Sequence, residues 1–245
     1  MMIPMIPPRF GTNSAEVTSI AAVSRFRGLP LFHGLDGAAL ARLSVGAGEI
    51  DARSGSVIFR RGEPSSWLFL VAHGQVKLVL QSPQGGEKVV ELVEPAGCFG
   101  SSSIFTGGPH ALTAVAVNDS RLVTVARAAV LAELERTPAF ARNITASLSH
   151  RLKYLIGALE NCMVRSGTER VIDYLVNRVP GNAASGEGLV LFPAQKGIIA
   201  SQLNLTQAHF SRILRDLARE GLIKVEGRAV RIYDVASLRA NGAQA

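Results

Sequence analysis

The spacing of apolar residues changes once along this sequence, near Ala126, and the change separates two kinds of structure. From Leu29 to about Val125, apolar residues stand in short or alternating runs with turn residues between them. The runs are Val57–Phe59, Trp67–Val71, Val76–Leu80, Val89–Val93, Thr113–Val117 and Leu122–Val125. Many short strands separated by turns are typical of a β-sandwich or barrel rather than of alternating β/α units. We therefore expect this part of the chain to form a β-domain.

After Ala126 the apolar residues follow a helical period. One row repeats at intervals of 4, 3, 4 and 3 residues and consists of Leu148, Leu152, Leu155, Leu159 and Cys162. This heptad pattern predicts a helix that begins near Pro138. The segment from Asn143 to Arg165 contains no proline, and about six turns is longer than the three of an average helix. Such a helix either packs on its own domain or pairs with its twin, and its length favours a dimer seam.

The length of 245 residues suits one large or two modest domains, at about 150 residues per domain. We predict a mobile arm over 1–25, a sensor domain over 26–135 and a dimerisation helix over 136–165. A further domain is expected over 166–240. It begins with a hinge sequence, Ser166–Glu169, in which the first serine and the glutamate can form a capping box.

Composition excludes several classes of protein. A hydrophobic content of 47% with 18% charged residues does not suit a disordered chain. No apolar run approaches the roughly 18–20 residues of a membrane span, and no secretory signal is recognisable at the N-terminus. Two cysteines, Cys98 and Cys162, are too few for a four-cysteine zinc or iron–sulfur site. We expect a protein of the reducing cytoplasm with no membrane segment and no metal site.

The positive charge of the chain is concentrated near its C-terminus. The net charge is +7, and residues 196–245 carry eight Lys or Arg against four acids, which leaves +3 for all the rest. A basic C-terminal segment indicates an anion-facing surface, with nucleic acid as the first candidate. The alternative is a basic face that serves only solubility.

The segment Lys196–Leu214 has the pattern of two short helices joined by a sharp turn. Ala200 is small, as required where two helices cross closely. Asn204 stands at the turn, where a positive φ is needed and asparagine is tolerated almost as well as glycine. Thr206 is placed to cap the second helix. A β-hairpin over Leu222–Tyr233 then predicts the wing of a winged helix-turn-helix.

The outer face of the second helix carries side chains suited to base edges and phosphates in a major groove. The predicted contacts to double-stranded DNA are Lys196, Thr206, Gln207, His209, Ser211, Arg212 and Arg215. Arg212 is expected to read guanine O6 and N7, whereas Lys196 and Arg215 are expected to hold phosphates.

Two sets of motifs give this chain a family resemblance over roughly residues 29–238. One is a glycine frame made of Gly55, Gly62–Pro64, Leu70–Val76, Gly86–Glu87 and Gly97–Gly100. The other is the helix-turn-helix ending in Phe210–Leu214. Together they resemble the cyclic-AMP receptor protein / fumarate–nitrate reductase regulator (Crp/Fnr) superfamily of bacterial transcription factors.

The resemblance implies an α+β fold with three parts: an N-terminal double-stranded β-helix (jelly roll) sensor domain, a long dimerisation helix and a C-terminal winged helix-turn-helix. It also implies a homodimer on a palindromic site, with RNA polymerase as a further partner if the protein is an activator. Phe192–Lys196 and Thr206–Arg212 look most similar to the nitric-oxide-responsive denitrification regulators.

The sensor part departs from the cyclic-nucleotide pattern. Family members that bind cyclic AMP have a glutamate after the Gly100 equivalent and an arginine near Ala111, but no Lys or Arg occurs here between Lys88 and Arg121. A buried phosphate without a cation is strongly disfavoured, so cyclic AMP is not the expected effector. The candidate effector residues are Phe99, Gly100, Ser101, Ser102, Ser103 and His110.

Haem stays open as a cofactor, because the resemblance to the denitrification branch implies it. His110 would be the first ligand to test and His33 the second, although an ordinary core or surface role is the simpler interpretation of each. A redox disulfide through Cys162 across the dimer is the less favoured alternative to a small apolar seam residue. Cys98, at a strand turn, is expected to be structural.

The recognition helix also departs from the family, because Ala208 stands where a glutamate is common, and this puts the usual half-site in doubt. The sequence thus predicts a regulator controlled by a small effector or gas. One alternative is a ligand-independent regulator. Another is a jelly-roll enzyme, which is disfavoured because no His-x-His motif or glutamate pair occurs in the β region.

Overall fold

A computed structural model describes residues 26, 28–81, 86–182 and 186–242, with the side chains of positions 161, 162 and 182 outside the description. The expected arm over 1–25 lies outside the described residues. Within them, no helix is both long enough and apolar enough to cross a membrane. The chain divides into two compact units, Met1–Arg151 and Leu152–Ala245, each described by itself below.

The first unit is built mainly from eight strands and three short helices. Its strands are β1 (Ala47–Ala52), β2 (Val57–Phe59), β3 (Trp67–His73), β4 (Val76–Gln81), β5 (Glu87–Val93), β6 (Cys98–Phe99), β7 (Thr113–Ala116) and β8 (Ser120–Ala126). Its short helices are α1 (Gly37–Val45), α2 (Ser101–Thr106) and α3 (Arg127–Arg136), with a 3-10 turn at Pro30–Phe32. The strands form two four-stranded sheets in the orders β1-β8-β3-β6 and β2-β7-β4-β5. All neighbours in both sheets are antiparallel, which confirms the β-domain predicted from the runs.

Alternation along β8 shows how the two faces of one sheet differ. Leu122 packs in the cluster between the sheets, which includes Phe59, Phe69 and Phe99. Val123 and Val125 point to the opposite face and pack in a second hydrophobic cluster beneath the helices. Successive side chains of a strand point to opposite faces, so the inside of the jelly roll is fixed by strand parity.

The long helix, α4, spans Pro138–Val164 and begins where the sequence predicts. Its first turns are buried, since Phe140 and Ile144 belong to the cluster beneath the helices. This packing explains why the first compact unit extends to Arg151, inside α4, whereas the sequence places the domain boundary near 165.

The second unit contains the remaining helices and a three-stranded sheet. The helices are α5 (Gly167–Val176), α6 (Lys196–Gln202), α7 (Gln207–Arg219) and α8 (Val235–Gly242), with a 3-10 turn at Pro180–Asn182. The strands are β9 (Gly188–Leu191), β10 (Ile223–Glu226) and β11 (Ala229–Ile232), in the order β10-β11-β9. The predicted capping box is present at the start of α5, where Ser166 and Glu169 cap each other. The fold is the α+β arrangement expected from the sequence.

Candidate nucleic-acid interface and sensor cavity

The turn between α6 and α7 has the geometry that its sequence predicts. Asn204 has a φ of +57°, in the left-handed region that asparagine tolerates. Ala200 is fully buried, and its carbonyl accepts a hydrogen bond from the backbone N–H of Leu205 at 2.8 Å. A small residue at this position lets the chain turn back against α6, which sets the angle at which α7 leaves the turn.

Thr206 fixes the first turn of α7. Its Oγ1 accepts a hydrogen bond from the backbone N–H of His209 at 3.2 Å, which confirms the predicted cap. The inner face of α7 is buried in the core of this unit through Phe210, Ile213, Leu214 and Leu217. Because the inner face is fully used for packing, the opposite face is free to meet a partner.

The predicted DNA contacts lie on or beside that outer face. Gln207, His209, Arg212 and Arg215 are exposed, whereas Ser211 and Lys196 are half-buried. Arg212 and Arg215 make no hydrogen bond or ion pair with any other residue that the structure describes. Unpaired guanidinium groups on an exposed helix are suited to base edges and phosphates.

Arg170 is a residue of this site that sequence analysis missed. It lies on α5, and its Nη1 donates to the carbonyl of Leu203 at 2.9 Å and to that of Asn204 at 3.4 Å. These carbonyls end α6, so the arginine holds the turn to the preceding helix. No local pattern indicates the contact, because 33 residues separate Arg170 from Leu203.

The wing is tied to the loop before α6. Arg228, at the β10–β11 turn, donates through Nη2 to the carbonyls of Phe192 at 2.8 Å and Pro193 at 2.7 Å. Lys224, another cation of the wing, forms an ion pair with Glu226 at 2.7 Å. The wing therefore offers less unpaired positive charge than α7 does.

The serine run among the predicted effector residues begins the short helix α2. Gly100 precedes it with a φ of +83°, and a Cβ there would stand 3.1 Å from the carbonyl oxygen of Trp67. Ser101 and Ser103 are buried and Ser102 is exposed. The hydroxyl of Ser103 donates to the carbonyl of Pro109 at 3.1 Å, so the run braces the loop that follows it.

His110, of the predicted effector set, lines a cavity inside the jelly roll. The cavity measures about 200 Å³, and its walls are Ile50, Ile58, Phe59, Glu63, Pro64, Ser66, Trp67, Phe69, His110 and Thr124. Phe99 is buried in the neighbouring cluster and is not part of this wall. The structure therefore does not gather Phe99, Gly100 and the serines around one cavity, because they pack against strands or cap α2.

The imidazole of His110 is held firmly. It stacks on the ring of Phe59 with 3.6 Å between centroids, and its backbone N–H donates to the carbonyl of Glu63 at 2.9 Å. Burial lowers the pKa of His110, opposed by the nearby Glu63 carboxylate. His33, the second haem candidate, is exposed. Among the described residues no three His, Cys, Asp or Glu side chains come together as a metal site.

Polar contacts connect the jelly roll to the first part of α4. Arg151 pairs with Glu91 of β5 at 2.8 Å, and the thiol of Cys98 lies 3.5 Å from the hydroxyl of Ser147. Burial raises the pKa of Glu91, partly offset by Arg151. Burial also raises the pKa of the Cys98 thiol, which suits a structural cysteine rather than a reactive one.

The leucines predicted to form a dimer seam are exposed on α4. Leu148, Leu152, Leu155 and Leu159 are between 36% and 60% exposed, and the side chain of Cys162 lies outside the described residues. Ile156 and Met163, which the heptad pattern omits, are also exposed. The C-terminal part of α4 thus presents an apolar row that its own domain does not cover.

Comparison with known proteins places both units in described families. Residues 49–137 match the cyclic nucleotide-binding domain, and residues 169–241 match the Crp-like helix-turn-helix domain. The cyclic AMP receptor protein of Thermus thermophilus is 30% identical over 215 residues, which cover 86% of this chain and 96% of that protein. The CRP-like cAMP-activated global transcriptional regulator of Mycobacterium tuberculosis is 26% identical over 206 residues, covering 83% and 92%.

Solved structures share the fold. FixK2 from Bradyrhizobium japonicum superimposes with a TM-score of 0.69 at 22% identity, covering 79% of this chain and 96% of that one. The sensor domain of the regulator DNR from Pseudomonas aeruginosa gives a TM-score of 0.50 at 27% identity, covering 57% and 93%. The names of the Mycobacterium relative and of DNR describe regulators of transcription.

Proposed function

We propose that this chain, which belongs to the Crp/Fnr family of transcription regulators, binds palindromic promoter sites as a homodimer under the control of a small effector in its jelly roll. The family carries a helix-turn-helix that binds DNA. One observation carries the proposal furthest: the outer face of α7 presents Arg212 and Arg215 exposed and without a partner among the residues that the structure describes.

Each predicted contact has a role that its position on α7 supports. Arg212 lies in the second turn of the helix and is the proposed reader of guanine O6 and N7. Arg215, one turn further, and Lys196, at the start of α6, are the proposed phosphate contacts. Thr206, Gln207, His209 and Ser211 complete the surface at the end of α7 that enters the groove.

The exposed row on α4 supports the homodimer. Burial of a leucine side chain contributes about 1.5–3 kcal/mol of stabilisation. A heptad row of exposed leucines therefore favours association with a partner that buries it. Pairing of α4 with its copy covers Leu152, Leu155 and Leu159 about a two-fold axis. A two-fold protein reads a palindrome, with half-sites about 34 Å apart.

Control by cyclic AMP is not part of the proposal. No Lys or Arg belongs to the cavity beside His110, and the wall includes the Glu63 carboxylate. The names of the Thermus and Mycobacterium relatives refer to cyclic AMP, but the described wall of this cavity includes no Lys or Arg that could pair with a phosphate. A ligand-independent regulator is the second candidate, favoured by the same missing cation.

Haem and nitric oxide, which the resemblance to the denitrification branch implies, find little support in the cavity beside His110. A cavity of about 200 Å³ is below the roughly 300–1,000 Å³ that drug-sized ligands require, and haem is larger than such ligands. One face of the His110 imidazole is also covered by Phe59. A haem titration that gives a saturable Soret band lost in His110→Ala would restore this alternative.

We propose that the contacts of Glu91 with Arg151 and of Cys98 with Ser147 transmit effector binding to α4. A ligand that shifts the sheets changes the packing of these α4 residues and so biases the dimer between two arrangements. RNA polymerase is the further partner if the protein activates transcription. The cysteine content favours the reducing cytoplasm as its compartment.

The experiment that tests the proposal is recovery and sequencing of genomic fragments bound by the purified protein. We expect a discrete inverted repeat with half-sites one helical turn apart. A matched variant, Arg219→Ala, removes an exposed cation at the end of α7 that pairs with Asp216, and it should recover the same repeat. Fragments without a common sequence would overturn the assignment of α7 as a recognition helix.

A further inference from the structure

The cavity beside His110 has a polar group that the fold leaves unused. Thr124, on β8, is 1% exposed, and its Oγ1 has no hydrogen-bond partner among the described residues. Strand parity directs its side chain to the same face as Leu122, the interior of the jelly roll. A buried hydroxyl without a partner is unfavourable, so a ligand that satisfied it would gain affinity at this position.

Much of the remaining wall is aromatic, formed by Phe59, Trp67, Phe69 and His110. Phe59 and Phe69 lie 5.3 Å apart between centroids, and Phe59 stacks with His110 to form one flat side. Trp67, half-buried, stands between this interior and the exposed rim at Pro64 and Ser66. Flat aromatic walls favour a flat ring as occupant.

Charge and size restrict the occupant further. The wall holds one carboxylate, Glu63, and no cation, so an anion would be buried without a partner. Burial also lowers the pKa of the His110 imidazole, which favours its neutral form, although the Glu63 carboxylate acts in the opposite direction. An apolar cavity of about 150 Å³ is large enough for benzene, so about 200 Å³ accommodates one ring with a small substituent.

We infer that the cavity bounded by Phe59, Trp67, His110 and Thr124 binds a small neutral aromatic molecule with one hydroxyl or N–H group, which hydrogen-bonds to Thr124. This inference rests on the proposed function and names the effector class of its sensor domain. The proposed effector is thus an uncharged ring rather than a phosphate-bearing nucleotide.

The chain provides its own reporter for this site. Trp67 is the one tryptophan in the sequence and lines the cavity. The probes are phenol, toluene and benzoate, which share a ring but differ in hydroxyl and charge. Each is titrated into the full-length protein while Trp67 emission is excited at a wavelength that the probes do not absorb. We expect saturable changes with phenol and toluene and none with benzoate.

The hydroxyl of Thr124 is tested by the ratio of the phenol and toluene affinities. Thr124→Val keeps the shape and removes the hydroxyl, so the preference for phenol relative to toluene should fall by about three- to tenfold. Thr124→Ser should retain most of the preference. Thr113→Val is the matched control, because Thr113 is an equally buried threonine whose hydroxyl already accepts from the Arg61 N–H. It should leave the ratio unchanged.

Ile58→Phe tests the location without touching Thr124. Ile58 is half-buried and lines the cavity, so a larger side chain there should abolish the response to both neutral probes. Three results would overturn the inference: no saturable response to phenol or toluene, a response to benzoate as strong as to phenol, or an unchanged ratio in Thr124→Val.

Failure here is distinguishable from failure of the proposed function. The titrations contain no DNA, and the fragment recovery contains no probe. If palindromic fragments are recovered and phenol does not bind, the proposed DNA-binding function is supported and the aromatic ligand class is rejected. If phenol binds and no common DNA sequence is recovered, the proposed ligand site is supported and the DNA-binding assignment is rejected.

Discussion

The Cε1 atom of His209 lies 3.1 Å from the point where a Cβ on Gly167 would stand. Gly167 is the first residue of α5, and His209 lies in the first turn of α7, among the proposed DNA contacts. Gly167, which lies within the predicted hinge sequence Ser166–Glu169, is therefore close to the surface proposed to read DNA. We therefore expect a substitution at either residue to alter the packing of the other.

Gly167→Ala should destabilise the protein by about 1 kcal/mol, because Leu205 and Ile213 also lie close to the added methyl group. His209→Ala in the same chain should recover part of the loss. Urea unfolding of the two single variants and the double variant measures the coupling, which we expect to exceed about 0.5 kcal/mol. Strict additivity of the two changes would mean that the contact has no energetic effect.

Arg212→Ala should weaken binding to the palindrome by about 1–3 kcal/mol and relax selection at one position of each half-site. Arg215→Ala should instead weaken binding about uniformly across sequences and reduce the salt slope by about one. Anisotropy titrations against the palindrome and its single-base variants separate the two outcomes. If Arg212→Ala weakened binding equally for all of these sequences, Arg212 would be a phosphate contact rather than a base contact.

Asn204→Ala should cost about 1–2 kcal/mol, because the positive φ at this turn is unfavourable for a residue with an apolar Cβ. Asn204→Gly should be close to neutral, since glycine adopts the left-handed region freely. Thermal unfolding of both variants provides the measurement. Equal losses in the two would show that the asparagine side chain, rather than its φ, holds the turn.

The buried carboxylate of Glu133 makes stability depend on pH. Arg42 donates to it through Nε and Nη2, both at 2.8 Å, and this hydrogen bonding lowers the pKa of Glu133 below its usual value near 4.5. The stabilisation is therefore present above about pH 4.5 and lost as the pH falls through the lowered pKa. Glu133→Gln should remove this dependence, so the stability advantage of the wild type should shrink as the pH is lowered.

The control for that prediction uses the same pair. Arg42→Met leaves the Glu133 carboxylate 2% exposed without its arginine and should lower the stability of the protein. Adding Glu133→Leu should restore most of the loss. A wild-type stability curve parallel to that of Glu133→Gln between pH 3 and 6 would contradict the lowered pKa.

Leu152→Glu with Leu159→Lys should prevent dimer formation, because two charges would be buried in the proposed α4 seam. Glu160→Ala, at an exposed position beside the row, is the matched control and should remain a dimer. Sedimentation velocity measures the mass of each. A double variant that still sediments as a dimer would show that the exposed leucines are not the interface.

Local patterns account for what the sequence predicted well. Asn204, Ala200 and Thr206 act within one turn of chain, and the capping box joins Ser166 to Glu169, three positions further on. Their physical requirements can be stated from the sequence alone. The same is true of α4, whose heptad row is visible in the spacing of its leucines.

Long-range contacts account for what the sequence did not predict. The pair Arg42 and Glu133 is separated by 91 residues, and the cavity wall joins β1, β2, β3 and β8 around Thr124. The serine run follows Gly100, where the family resemblance places effector contacts, yet Ser101 and Ser103 are buried and the hydroxyl of Ser103 donates to the carbonyl of Pro109. Which polar residues face a cavity depends on strand pairing, which no local pattern encodes.

The most direct test of the proposed function is the native mass of the protein bound to the palindrome that it selects. We predict two chains per palindromic duplex, with Arg212→Ala weakening the complex and Arg219→Ala leaving it intact. One chain per duplex, or no complex under conditions where the protein is folded, would contradict a homodimer that reads DNA through α7.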